Sequence, residues 1–316
     1  MALRDIAVGE EINPSYIIDI HSTCRKDRRD KLLRTKNFIC KCRACEDDDY
    51  CRCLRCPSCK QKKCTMVNSC TEDDNGDQRW KGTRCEQEFS ITNPIVVESM
   101  KEEESLLKRY SSLRNKLEFQ SVTDPLEIRK IIQDGSSLLS PTHYLVTRAY
   151  QLLYHFCAGQ YDSLKEQGVK ADSQLMSPWG EVISPVKFAQ EAADACIQII
   201  RIRECIAAKC RTCLVNDTTC PLGTHEANYD ASIDVFYAIE KLVVVCSTKS
   251  IAIAKTLFER YKLFLDATVG GDDMKGMELV LKKVHIKQQN TSSTSKRSCN
   301  LPSCSSTAVD LKACSR

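Results

Sequence analysis

The chain has 316 residues, 42% hydrophobic and 28% charged, enough for a sizeable buried core and ordinary for a water-soluble protein. Its net charge of +4 is spread over 46 basic and 42 acidic residues, which argues against the strong field of a dedicated nucleic-acid binder. No apolar run reaches the ~18 residues of a membrane span, so neither a membrane nor a specific nucleic acid is expected as a partner.

Cysteine is the anomaly: there are 21, and ten of them lie between Cys40 and Cys85 in tight CxC and CxxC spacings. Met1-Ala2-Leu3-Arg4-Asp5 has no apolar core of the kind an export signal needs. Reduced thiols are therefore expected, and clustered ones read as metal ligands rather than disulfides.

In chain order, the first informative stretch is Arg4-Asp5-Ile6-Ala7-Val8-Gly9-Glu10-Glu11-Ile12, followed by Ser15-Tyr16. Next comes a basic run with seven Lys and Arg between Arg25 and Lys36, expected as a solvated helix face or as a rim that meets acidic groups. It leads through Arg34-Thr35-Lys36-Asn37-Phe38 into Cys40-Lys41-Cys42-Arg43-Ala44-Cys45, whose one-and-two spacing is that of a thiolate knuckle.

Together these segments resemble the end of a SET domain and the post-SET knuckle of the SET-and-MYND-domain family. The resemblance implies a protein-lysine N-methyltransferase that uses S-adenosyl-L-methionine and acts on histones or other lysine-containing proteins in nucleus and cytoplasm. It assigns Tyr16 as the catalytic residue and as a cofactor contact, with Phe38 as a second aromatic wall of the cofactor pocket. The chemistry suits those residue types. Methyl transfer needs a deprotonated amine held in line, which a phenol can orient without competing as a nucleophile, and an aromatic face favours the sulfonium cation.

The resemblance also implies Zn2+ at Cys40, Cys42 and Cys45, with a fourth ligand from the upstream SET core, or else from Cys51, Cys53 or Cys24. A second group follows, Cys56-Pro57-Ser58-Cys59, then Cys64, Cys70, Trp80 and Cys85. Family members often carry a small ribbon here that ends in a second CxxC. In this chain Cys85 is followed by Glu86-Gln87-Glu88-Phe89, so that return is altered. Cys56, Cys59 and Cys85 are expected to hold a second zinc, with Cys64 or Cys70 as the fourth ligand; the competing reading is a decayed cysteine-rich loop. Glu72-Asp73-Asp74-Asn75-Gly76-Asp77 is acidic, but its spacing is wrong for a calcium loop, and it reads as a polar turn.

From Pro94 onward apolar residues recur at a helical period. Val96, Met100, Leu107, Tyr110, Leu113 and Leu117 mark a first helix; Asp124-Pro125 opens a second, Ser140-Pro141 a third and Ser184-Pro185 a long fourth, with 159–185 as loop. Further helices are expected near 229–246, 251–267 and 272–286. Cys205 and Cys210 fall mid-helix, where cysteine packs as a small hydrophobe, and His143 and His225 read as helix-start or packing residues rather than ligands.

The expected fold is mainly α: 1–38 as the end of a SET domain, 39–94 as a post-SET cysteine-rich zinc region, 95–286 as an antiparallel helical domain, and 287–316 as a disordered tail. The resemblance makes that helical domain tetratricopeptide-like, a wall of the substrate cleft and a surface for protein partners. A non-catalytic, zinc-stabilised interaction module is the alternative. The family's methyl-donor motifs would precede Met1, so the chain by itself is expected to be inactive. Titration calorimetry with S-adenosylmethionine checks this: no heat of binding is expected, and micromolar affinity would refute it.

Overall fold

The computed structural model describes Val8 and residues 23–41, 43–59, 65–72, 78–118, 124–171, 173–208, 225–245, 247–269 and 275–282. Tyr16, Cys42, Cys64 and the 287–316 tail lie outside the described residues.

Helix α1 runs from Arg25 to Lys36 and stops at Asn37, whose left-handed backbone (φ 57°) lets its N–H close onto the Leu33 carbonyl. The expectation of a solvated basic face fails at two positions, since Arg25 and Arg28 are only 7% and 5% exposed. The reason is local supply of acceptors. Arg25 donates from its side chain to Asn68 Oδ1, to the Ser69 carbonyl (2.8 Å) and to the Asp47 carbonyl (3.0 Å), while its backbone N–H donates to Asp49 Oδ2 at 2.7 Å. A planar guanidinium carries its charge inward at tolerable cost when its donors are matched in this way.

After a single turn, α2 (Arg43–Glu46), the chain forms an antiparallel meander of β1 (Asp49–Arg55), β2 (Thr65–Glu72), β3 (Gln78–Gly82) and β4 (Glu88–Ser90). Register is regular where Cys53, Leu54 and Arg55 pair with Val67, Met66 and Thr65, but it shifts between Asp49 and Cys53. Leu54, Met66 and Trp80 are fully buried on one face of the sheet.

Helix α3 (Pro94–Glu118) packs on that face, with Val96, Leu106 and Leu113 inward. Asp124 caps α4 (Pro125–Asp134), accepting from the Leu126 N–H at 2.8 Å with Pro125 in the first turn, as expected. One π-helical turn, Gly135–Leu139, follows.

The third helix does not begin at Ser140-Pro141. Those residues make a turn in which the His143 N–H bonds the Ser140 carbonyl, and α5 (Tyr144–Glu166) starts one turn later with His143 as its cap. Nor is 159–185 all loop. Helix α5 continues past Gly159 to Glu166, because one glycine costs a helix only about 1 kcal/mol and Leu164 renews the buried stripe. A short hairpin of β5 (Leu175–Met176) and β6 (Val182–Ile183) then precedes α6 (Pro185–Ala207). Ser184 Oγ caps α6 as expected, accepting from the Lys187 N–H.

Helices α7 (His225–Val245) and α8 (Thr248–Val269) are joined by two residues, and 275–282 is helical again. The described residues are mainly helical, and from α5 on each long helix packs on the next: α5 on α6, α6 on α7, α7 on α8. Helix α6 is apolar on two faces. Phe188, Ala192, Ile202 and Ile206 join the cluster built on the sheet and α3–α5, whereas Ala193, Cys196 and Ile200 join a second cluster with α7 and α8. Among the described residues, no helix is long and apolar enough to cross a membrane.

Sheet and helices are tied together by one buried polar joint. Arg52 of β1 donates twice to Glu103 of α3, Nε to Oε1 at 3.0 Å and Nη2 to Oε2 at 2.7 Å. His143 Nδ1 accepts the Leu145 N–H at 3.2 Å, so its proton sits on Nε2, 3.3 Å from Glu103 Oε1. Burial pushes the Glu103 carboxyl up, but His143 and Arg52 together outweigh it and hold its pKa at about 2. His143 is fully buried, and that burial chiefly lowers its pKa from the ordinary 6.5 despite Glu103 beside it. Both groups are therefore depressed relative to the unfolded chain, so both contribute stability that is lost on acidification.

Arg52→Ala leaves the buried Glu103 without its guanidinium partner, and urea unfolding is expected to show a loss of about 3–5 kcal/mol. The advantage of wild type over Glu103→Gln should shrink as the pH falls from the ordinary carboxyl value of 4.5 toward 2. Parallel pH-stability curves of the two proteins check the sign.

Candidate metal centre

Strand β1 ends at Arg55 and delivers Cys56-Pro57-Ser58-Cys59 as a turn at one end of the sheet. Strand β3 ends at Gly82 beside it. The return from Gly82 to β4 is closed by the Gly82 N–H on the Gln87 carbonyl and the Glu86 N–H on the Gly82 carbonyl, both 2.9 Å. Glu86 takes a positive φ of 54° within this turn. Thr83 fastens the turn to β2, its N–H and hydroxyl both donating to the Thr65 carbonyl at 2.8 and 2.9 Å.

The two turns bring together Cys56, Cys59 and Cys85, whose sulfurs all lie within 4.8 Å of one another, with Cys56 Sγ and Cys85 Sγ at 3.5 Å. A tetrahedral thiolate centre with metal–sulfur bonds of about 2.3 Å needs sulfurs roughly 3.8 Å apart. The trio fits that requirement with small side-chain adjustments, and these three cysteines can hold a metal ion. They grade outward, Cys56 buried, Cys59 half-buried and Cys85 exposed, so an ion has a path in from solvent.

Among the described residues, Cys40 and Cys45 do not form part of any such three-residue group. Cys45 is buried and Cys40 half-buried, but Cys42, the middle member of the knuckle, lies outside the described residues. Arg28 bonds the Cys45 side chain with Cys51 close by, and Arg29 Nη2 donates to the Cys45 carbonyl at 3.0 Å. Cys24 suits a ligand poorly: burial, then Asp49 and Asp27, push its thiol up to about 12.

Phe38 follows the end of α1 and is 36% exposed, while Tyr16, the residue assigned to catalysis, lies outside the described residues. The fourth-ligand candidates divide in the same way. Cys51 and Cys53 are buried within β1, with Cys53 Sγ donating to the Tyr50 carbonyl at 2.9 Å; Cys64 and the Cys70 side chain are outside what is described. Cys205 is a half-buried residue near the end of α6, while Cys210, Cys213 and Cys220 lie outside.

One residue of the centre carries no signal as a ligand. Gly82 lies against the sulfurs, and its only trace in the sequence is that Gly82-Thr83-Arg84-Cys85 repeats the spacing of Cys56-Pro57-Ser58-Cys59.

Cys56→Ser and Cys59→Ser are each expected to remove one metal ion per chain in elemental analysis, whereas Cys157→Ser, whose thiol is buried in α5, is expected to remove none. Equal metal content in all three would dismiss the centre. No family model matches this chain, and neither does any curated protein or solved structure.

Proposed function

We propose that this chain is the C-terminal portion of a SET-domain protein-lysine methyltransferase, with zinc at Cys56, Cys59 and Cys85 as a structural staple. The successive helices are then a tetratricopeptide-like scaffold that forms one wall of a cleft for a histone or another lysine-bearing protein, in nucleus and cytoplasm. The observation that carries the reading is the path of α1. It links the Tyr16-bearing segment to the knuckle and ends at Asn37, so that Phe38 emerges partly exposed just before Cys40. A partly exposed aromatic at that point suits a wall for a sulfonium. S-adenosylmethionine, when bound, supplies the methyl group. In this reading Tyr16 orients the lysine amine through its hydroxyl, Phe38 shields one side from water, and Cys40, Cys42 and Cys45 fix both against the pocket by holding a further zinc.

A second reading has an observation of its own. The β5–β6 hairpin projects Met176 at 70% exposure, with Leu175 and Val182 also exposed, which is the kind of apolar tip a protein partner covers. On that view the chain is a zinc-stabilised interaction module whose helices bind partner proteins without catalysis.

Methyl transfer to core histones, assayed with the parent protein that contains this chain, separates the two. Tyr16→Phe is expected to lower turnover by roughly 10²-fold or more, the scale of a misplaced reacting group, with zinc content unchanged. Equal turnover in both proteins removes Tyr16 from the chemistry and leaves the interaction module.

A further inference from the structure

Cys85 is an exposed residue, yet its sulfur is turned inward and lies 3.5 Å from that of the buried Cys56. Gly82 makes this possible. A Cβ built there would fall 2.3 Å from Cys85 Sγ, so the thiol occupies the space that any other residue at this position would fill. Backbone freedom does not account for the glycine, since the positive-φ residue of the turn is Glu86, not Gly82. The seat is fixed by the turn's own hydrogen bonds, Gly82 N–H to the Gln87 carbonyl at 2.9 Å and Thr83 N–H to the Thr65 carbonyl at 2.8 Å. Strand β1 delivers Cys56 from the other side. Two thiols from different elements are thus held in contact, one open to solvent and one shielded from it.

We propose that Cys85 and Cys56 are a modification site for hydroperoxides, in which Cys85 is oxidised first and Cys56 resolves it as a disulfide. Oxidation of a thiol follows its exposure and thiolate character, and among the described residues Cys85 is the cysteine most open to solvent. The Cys85 thiolate attacks the O–O bond of hydrogen peroxide, takes up one oxygen as a sulfenic acid and expels hydroxide, which is protonated to water. The Cys56 thiolate then attacks that sulfur: the S–S bond forms, the S–O bond breaks, and a second hydroxide leaves as water. Two thiolates have given two electrons to one peroxide. A disulfide bond is about 2.0 Å long, so the sulfurs close the remaining distance by turning about their own side-chain bonds. The reaction needs neither methyl transfer nor a metal. Where zinc is held, spending two of its thiolates releases the ion unreduced. The new bond ties the end of β1 to the turn after β3, across β2, so the sheet stays closed at this end.

The full chain, with and without prior stripping of metal by a chelator, is treated with hydrogen peroxide, and its disulfides are mapped by mass spectrometry of unreduced peptides. A Cys56–Cys85 link is expected in both preparations, reversed by dithiothreitol, and it should persist in Cys59→Ser. Gly82→Ala pushes the Cys85 thiol out of its seat. At unchanged far-ultraviolet circular dichroism, its yield of the link is expected to fall by roughly tenfold, while Cys85 sulfenic acid accumulates and is trapped by dimedone. Cys56→Ser makes the same test without touching the turn: removal of the resolving thiol should also leave Cys85 trapped by dimedone. A link from Cys85 to Cys64 or Cys70, a Cys56–Cys59 link as the main product, or an undiminished Cys56–Cys85 yield in folded Gly82→Ala would each overturn the proposal. Absence of the Cys56–Cys85 link from a zinc-loaded chain would overturn it while leaving zinc binding intact. Absence of zinc from untreated wild type, with the link still formed, would instead overturn only the zinc reading.

Discussion

The buried carboxylate of Glu103 is the point on which the arrangement of sheet and helices turns. A charge that is 5% exposed is tolerable only while it is paired, and here Arg52 of β1 donates to it and His143, at the start of α5, stands 3.3 Å from it. The Arg52 guanidinium also lies over the Trp80 ring of β3, 5.4 Å from its centroid. Arg148 of α5 extends the joint outward, stacked 5.0 Å over Tyr144 and reaching Asp27 of α1 at 3.3 Å. Hydrophobic burial alone would let a small sheet slide on the helix beneath it. A two-pronged guanidinium–carboxylate pair has one good geometry, and it fixes where β1 sits along α3. Replacing such a pair with apolar side chains of similar volume need not cost stability, whereas removing one partner does. Its contribution here is therefore best understood as placement.

Short strands hold together in water only where a sheet has a hydrophobic face or packs against a helix. One face of the meander is covered by α3 and the start of α5, through Leu54, Met66, Trp80 and Phe89. The end of the sheet that carries the cysteine turns adds Cys56 to the same cluster, with Cys59 packed against it. A metal bound by Cys56, Cys59 and Cys85 would tie the end of β1 to the turn after β3, across the strand that lies between them. Metal affinity at such a site is folding free energy, because the unfolded chain does not preorganise the sulfurs.

Much of this was legible in the sequence where a residue acts on its immediate neighbours. Asp124-Pro125 and Ser184-Pro185 start helices because a short polar side chain meets an N–H two or three residues on. The same logic misplaced α5, since Ser140-Pro141 has the right chemistry and yet the Ser140 carbonyl is spent on His143 to close a turn. Of the thiol trio, Cys56 and Cys59 were legible from their spacing, whereas Cys85 came only from the resemblance to a family ribbon. Arg25 and Arg28 were not legible. Arg25 is buried by acceptors more than twenty residues away, at Asp47, Asp49, Asn68 and Ser69, which no local pattern links to a basic run. Gly82 was illegible for a different reason: a glycine before a turn has an ordinary explanation, and only the position of its absent Cβ among sulfurs removes it.

The joint and the thiol cluster are not independent, because both are carried by β1. The ladder with β2 is regular from Cys53 to Arg55, but its register shifts between Asp49 and Cys53, the stretch that contains Arg52. Arg52 stands two residues before the buried Leu54, so the alternation of the strand turns both toward the helices. Arg52 reaches Glu103 from within that irregular stretch. What keeps the irregularity from drifting along the strand is the regular end beyond it, where Arg55 pairs with Thr65, donates to the Ser136 carbonyl at 3.1 Å and leads directly into Cys56. A metal that anchors Cys56 would thus hold the register that aims Arg52. The two stabilising devices would then act in series along seven residues of one strand, and weakening the sulfur end would loosen the contact between sheet and helices at a distance.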